Sequence, residues 1–189
     1  FKHGVGTRFN LGKDFLVLSQ HPVTTEYEHS MNHILNSLEA LKIIGLPTLV
    51  FWPNSDAGSD GVSRGIRLFR EKNKKNNFFF IKNLPTNHYL NILNYTKCLI
   101  GNSSSGIREG SYLGTPVVNI GTRQTDRERA SNVIEVKNNK LQIINAIKKQ
   151  IKHGKYKSSK IYGQGDTGIK IAKILSKVSP KIQKKLLTR

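Results

Sequence analysis

The sequence predicts a doubly wound α/β domain: a mostly parallel sheet with helices on both faces. Three observations predict it. Short apolar runs of strand length alternate with longer stretches that repeat apolar residues at helical spacing. Gly and Pro punctuate the junctions, as in Gly45-Leu46-Pro47 and Gly114-Thr115-Pro116. Polar clusters gather at one kind of junction, the one that follows a strand. Parallel strands need long crossovers, and intervening helices supply them.

Phe15 to Ser19 reads as the first buried strand. Thr25 and Glu28 have capping-box spacing, and Met31, Ile34, Leu35 and Leu38 follow at i, i+3, i+4 and i+7, so a helix runs to about Gly45. Thr48 to Trp52 is the second strand, followed by a turn through Asn54-Ser55-Asp56-Ala57-Gly58 and a helix carrying Val62, Ile66 and Phe69. Phe78 to Ile81 is the third strand, and Thr86 is placed to cap a helix with Tyr89, Ile92 and Leu93. Thr96 to Ile100 is the fourth. A polar turn then leads into a helix expected from Ile107 to Leu113. Pro116 to Ile120 and Val133 to Val136 are the fifth and sixth strands, and Leu141, Ile144, Ile147 and Ile151 mark the next helix. After a loop around residues 157–166, Asp166 or Thr167 can cap a last helix striped with Ile171, Ile174, Leu175 and Val178. Such a stripe needs a cover. Ser179-Pro180 breaks it, dividing the chain into a domain of residues 1–178 and a tail of residues 179–189.

Length and composition bound the function. The 189 residues suffice for one domain with a real core, and the hydrophobic fraction of 37% is not that of a disordered chain. No apolar run is long enough for a membrane-spanning helix, so no membrane role is expected. The chain opens on Phe1 rather than Met, as a fragment or a trimmed chain would. Cys98 is the sole cysteine, which excludes an internal disulfide and makes a reducing cytoplasm the default. The six histidines are scattered and there is no paired Cys, so neither a metal nor another cofactor is expected. The net charge of +19 would suit a nucleic-acid binder. Its distribution argues against one, because the lysines are mixed with Asn on solvated helix positions, as in Lys72-Asn73-Lys74-Lys75.

In doubly wound sheets, ligands sit beyond the carboxyl ends of the strands. The polar clusters fall on that rim: His21, Asn54 to Ser59, Ser103 to Ser105, and Arg123. Gly101-Asn102-Ser103-Ser104-Ser105-Gly106 combines small residues and hydroxyls at the start of a helix, a good seat for phosphate. The plainer reading is that its serines only cap the helix. His21 and Arg123 could bring charge to a phosphate, and Glu109, farther along the helix, could accept both hydroxyls of a ribose. Asp56 is a stray candidate base. Walker A, Gly-x-Gly-x-x-Gly and nucleophile-elbow patterns are lacking. Phosphate, ribose and one histidine point to a nucleoside diphosphate with a group attached.

These residues resemble the C-terminal half of the UDP-N-acetylglucosamine 2-epimerases, whose two Rossmann-like lobes form the GT-B architecture. The likeness runs from about Phe15 to Val178 and favours the hydrolysing branch at three places. His21-Pro22-Val23-Thr24-Thr25 stands where non-hydrolysing enzymes have His-Arg-Arg-Glu-Asn. Pro53-Asn54-Ser55-Asp56-Ala57-Gly58 matches the hydrolysing second loop, and Gly101 to Glu109 replaces an Asp-Ser-Gly-Gly version. Asn119-Ile120-Gly121-Thr122-Arg123-Gln124 continues the match, and Ser159-Lys160-Ile161-Tyr162-Gly163 resembles the animal bifunctional epimerase-kinase. The resemblance implies that UDP-N-acetylglucosamine loses UDP to give a 2-acetamidoglucal, to which water adds to yield N-acetylmannosamine, a route into sialic acid. It assigns His21, Asn54, Ser103, Ser104, Glu109 and Arg123 to UDP, with Leu84 contributing backbone and His21 as the catalytic candidate. The proton-handling carboxylates belong to an N-terminal half absent from this sequence, so the chain alone is expected to be inactive. A full-length homo-oligomer and a tail crossing back to the N-terminal half are also implied. Where the animal enzyme binds CMP-sialic acid, this chain keeps Lys82 but has Asp60 for a lysine and Asn83 for a histidine, which argues against that feedback control. The competing readings are the donor-binding half of a GT-B glycosyltransferase and a non-catalytic basic module that binds RNA.

Overall fold

The computed structural model describes residues 4–74 and 77–179. The expected crossover beyond Pro180 lies outside the described residues. In chain order the strands are β1 Gly4–Gly6, β2 Leu16–Ser19, β3 Thr48–Phe51, β4 Phe78–Ile81, β5 Cys98–Gly101, β6 Val117–Ile120 and β7 Val133–Val136. The α-helices are α1 Ser30–Ile44, α2 Ser59–Lys72, α3 Thr86–Tyr95, α4 Ser104–Ile107, α5 Glu109–Leu113, α6 Lys140–His153 and α7 Thr167–Leu175.

The strands form one sheet in the order β1-β4-β3-β2-β5-β6-β7. All neighbours from β4 to β7 pair in parallel; β1, not expected from the sequence, adds an antiparallel edge on β4. The chain winds outward from β2 to β4, returns to β5 beside β2, and winds outward the other way. The order therefore reverses between β2 and β5, and that reversal is where such folds open a crevice. Strands β2 to β6 are buried throughout, because helices cover both faces of a parallel sheet, and their residues are mostly apolar, with Ser19, Thr48 and Asn119 the buried polar exceptions. Leu16, Leu18, Val50, Phe80, Ile100 and Val118 face one layer, formed by α1, α2 and α6. Val17, Leu49, Phe79, Leu99 and Val117 face the other, with Ile92 and Leu93 of α3. The doubly wound expectation holds.

Several boundaries moved for identifiable reasons. Thr25 and Glu28 make no capping box; Thr24–His29 is a 3₁₀ segment kinked at Glu26, and α1 starts only at Ser30. Glu26 is instead engaged by Thr122, whose hydroxyl donates to its carboxylate at 2.5 Å. Thr86 is the first residue of α3 rather than its side-chain cap. The single helix expected over Ile107 to Leu113 is two short ones, broken at Arg108 (φ −95°, ψ −82°). Leu141 is 68% exposed. It lies two residues before buried Ile143, roughly 200° round α6, so the covered stripe is Ile143, Ile144, Ile147 and Gln150.

Residues 154–162 strap back along α5 and the loop before β7. The Tyr156 and Ser159 amides donate to the Gly114 and Ser111 carbonyls, and the Tyr162 hydroxyl donates to the Glu128 carbonyl. Helix α7 follows with no buried residue: Ile169, Ile171, Ile174 and Leu175 are all half or more exposed. Among the described residues, no helix is long and apolar enough to cross a membrane.

Candidate functional site

Strands β2 and β5 run so close at their carboxyl ends that a side chain at position 101 is impossible. Gly101 has φ +127°, and a Cβ there would lie 2.1 Å from the Ser19 carbonyl oxygen. This approach delivers Asn102, 2% exposed, under the loop that leaves β2. Its Oδ1 accepts the His21 backbone N–H at 2.7 Å, and its Nδ2 donates to the His21 carbonyl at 2.8 Å. Its own carbonyl accepts Gln124 Nε2 at 2.7 Å and Arg123 Nη1 at 3.3 Å. One buried asparagine thus ties together the chain ends after β2, β5 and β6.

The His21 ring is fixed as well as its backbone. Nδ1 accepts the Asn54 backbone N–H at 3.2 Å, and Nε2 lies 3.4 Å from Ser19 Oγ. A ring nitrogen that accepts carries no proton, so the neutral imidazole holds its proton on Nε2. Burial, and then the Arg123 charge, push the His21 pKa down to about 4, with Asp56 partly offsetting them. His21 is therefore a neutral hydrogen-bond donor at pH 7. This corrects the expectation that it brings a positive charge.

The positive charge comes from arginine. Arg123 Nη2 pairs with Asp56 Oδ2 at 3.3 Å, an ion pair that is half-buried on both sides. Beside it opens a cleft of about 600 Å³, lined among others by Pro22, Thr25, Asp56, Ser104, Arg123 and Arg127. Two guanidinium groups against one carboxylate leave this cleft suited to an anion. The loop after β3 is braced from behind by Gly58 (φ +88°), where a Cβ would meet Tyr27, Ser30 and Pro22 at 2.9–3.1 Å.

At the end of β5, the Ser103 hydroxyl accepts the Ser105 N–H at 3.4 Å, so it does cap α4. It also lies 2.9 Å from Ser105 Oγ, which in turn lies 2.6 Å from the Tyr89 hydroxyl. Glu109 opens α5, half-buried, and its charge is felt at Tyr89. His21, the Asn54 backbone, Ser103, Ser104 and Arg123 thus share the rim at the switch point. Leu84 stands apart. It lines a separate, more apolar cleft of about 800 Å³ with Phe9, Leu11, Ile81 and Ile92, and its N–H donates to Asn83 Oδ1. Asn102, Gln124 and Tyr89 were not singled out from the sequence. Asn102 sits inside the serine motif, and a polar residue placed directly after a buried strand was the available signal. Among the described residues, no cluster of His, Cys, Asp and Glu could hold a metal ion.

A Rossmann-like domain with a polar, anion-suited crevice at its switch point defines the class. The family model described as UDP-N-acetylglucosamine 2-epimerase matches residues 2–176, and the chain belongs to that family. It is 29% identical over 147 residues to a UDP-N-acetylglucosamine 2-epimerase of Neisseria meningitidis serogroup B, covering 78% of this chain and 38% of that protein. It is 32% identical over 132 residues to a GDP/UDP-N,N'-diacetylbacillosamine 2-epimerase (hydrolyzing) of Campylobacter jejuni, covering 69% and 34%. The chain therefore spans well under half the length of these relatives. Among solved structures, the Methanocaldococcus jannaschii UDP-GlcNAc 2-epimerase in complex with UDP-GlcNAc and UDP superposes with a TM-score of 0.67. That match has 16% identity and covers 87% of this chain and 45% of that one, a likeness of fold.

Proposed function

We propose that this chain is the UDP-gripping lobe of a hydrolysing UDP-N-acetylglucosamine 2-epimerase, which converts UDP-N-acetylglucosamine and water to N-acetylmannosamine and UDP. The observation that carries the reading is that Ser104 and Arg123 line one crevice in a member of this family, with Arg123 and the buried His21 both tied to Asn102 at its floor. In the elimination, a base takes the C2 proton, the C2–H electron pair becomes the C1=C2 double bond, and the C1–O pair leaves with UDP. Negative charge grows on the diphosphate at that moment. Arg123, once it exchanges Asp56 for the diphosphate, and the Ser103 and Ser104 hydroxyls stabilise it. His21, neutral with its proton on Nε2, is suited to donate to the phosphate side of the breaking bond. Glu109 takes the ribose; Leu84 lines its own, more apolar cleft with its N–H given to Asn83, and no contact with the nucleoside is assigned to it.

The groups that remove and return the C2 proton lie on a second lobe. The apolar stripe of α7, half or more exposed at each residue, supports such a lobe, since a face of that kind is normally covered. The hydrolysing assignment rests on the three loop motifs at His21, Pro53 and Gly101. Product analysis on a full-length protein carrying this chain tests it. Free N-acetylmannosamine with stoichiometric UDP is expected; UDP-N-acetylmannosamine as the product would assign the non-hydrolysing type, and transfer of the sugar to an acceptor would assign a glycosyltransferase.

A further inference from the structure

The hydroxyls behind the crevice form a chain. Tyr89 reaches from α3 to Ser105 at 2.6 Å, and Ser105 reaches Ser103 at 2.9 Å. The Tyr89 ring is held edge-on against Phe51, centroids 5.3 Å apart at 89°. We infer that Tyr89 is a positioning residue whose phenol, acting through Ser105, sets the Ser103 hydroxyl as a hydrogen-bond donor to the phosphate end of a bound nucleotide.

A serine oxygen carries one O–H and two acceptor sites. Ser103 Oγ fills one acceptor site with the Ser105 backbone N–H. When the Tyr89 phenol donates to Ser105, the Ser105 O–H is turned to Ser103 and fills the second. The Ser103 proton is then not taken by Ser105 and has two places to go, back to the nearby phenol oxygen or out to an acceptor in the crevice, and a bound anion draws it outward. Phosphate oxygens accept and do not donate, so the polarity that starts at Tyr89 is the one an anion requires. A chain polarised in one direction also makes its last donor stronger. Burial raises the phenol's pKa, so Tyr89 keeps its proton throughout the neutral range. Ser19 lies within reach of the same phenol and of His21 Nε2. The network therefore reaches the ends of both β2 and β5. Neither the family match nor the sequence motifs gives Tyr89 this role.

This inference rests on the proposal that UDP binds at the crevice. The test is calorimetry with UDP and with uridine on the 189-residue chain, its Tyr89→Phe and Ser105→Ala variants, and the double variant. Phe keeps the ring and its Phe51 contact and removes the donor. The expected result is about a tenfold loss of UDP affinity in Tyr89→Phe, uridine binding unchanged within about twofold, and a double variant no worse than either single one. Unchanged UDP affinity, an equal loss for uridine, or additive losses would overturn the inference while leaving UDP binding intact. Failure of the unmutated, folded chain to bind UDP would instead overturn the site assignment beneath it.

Discussion

Asn102 and His21 are joined by two opposed hydrogen bonds, from the His21 N–H to Asn102 Oδ1 and from Asn102 Nδ2 to the His21 carbonyl. A side chain thereby carries the pairing of β2 and β5 one step past their ends, beyond the Asn102 N–H that donates to the Ser19 carbonyl at 3.2 Å. Asn102→Ala leaves two buried main-chain groups of His21 unpaired, at about 1–3 kcal/mol each. Urea unfolding should show a lower midpoint with the slope retained, and NMR should show the His21 ring released from the Asn54 amide. Asn102→Asp keeps the acceptor for the His21 N–H but sets a buried carboxylate oxygen against the His21 carbonyl, so it should be no milder than Asn102→Ala.

The His21 imidazole should resist protonation far below the usual range. Its folded pKa of about 4 lies under the ordinary 6.5, so between those values the unfolded chain binds a proton that the folded chain refuses. The stability from keeping this ring neutral is thus complete above pH 6.5 and is lost as pH falls toward 4, by up to about 3 kcal/mol. Comparing unfolding of the native chain and His21→Gln across that window isolates the effect. Arg123→Gln should raise the His21 pKa in an NMR titration, and Asp56→Asn should lower it.

The Asp56 carboxylate competes with any anion for Arg123. Asp56→Asn frees the guanidinium and should tighten binding of inorganic pyrophosphate at low salt. The gain should shrink as ionic strength rises, because the pair is only half-buried. Titration at two salt concentrations checks both parts.

Exposed Ile171 and Ile174 contribute nothing to the core described for this chain. Replacing both with Ser should change its unfolding free energy by no more than about 0.5 kcal/mol, while reducing binding of a hydrophobic dye. In a full-length protein the same pair should be clearly destabilising.

The sheet was legible because its strands, such as Phe78 to Ile81, are apolar from end to end and their turns are marked by Gly and Pro. The rim was legible because His21, Asn54, Ser103 and Arg123 each lie two or three residues beyond the end of a strand. What was hidden depends on distant partners. The capping spacing of Thr25 and Glu28 gave way to a link from Glu26 to Thr122, 96 residues on. The neutrality of His21 follows from burial and from Arg123, which no local pattern reveals. Edge strand β1 is three residues long, with two glycines, and exists only by pairing with β4. Tyr89 looked like one more apolar-face residue of α3 until its hydroxyl was found against Ser105.

Calorimetric titration of the folded 189-residue chain with UDP reads out whether the switch-point crevice takes this nucleotide. Weak, saturable binding is expected, and Arg123→Ala and Glu109→Ala should each weaken it by about 10- to 100-fold, the loss of a charged hydrogen bond. No binding by well-folded protein, or unchanged affinity in both variants, would contradict this expectation.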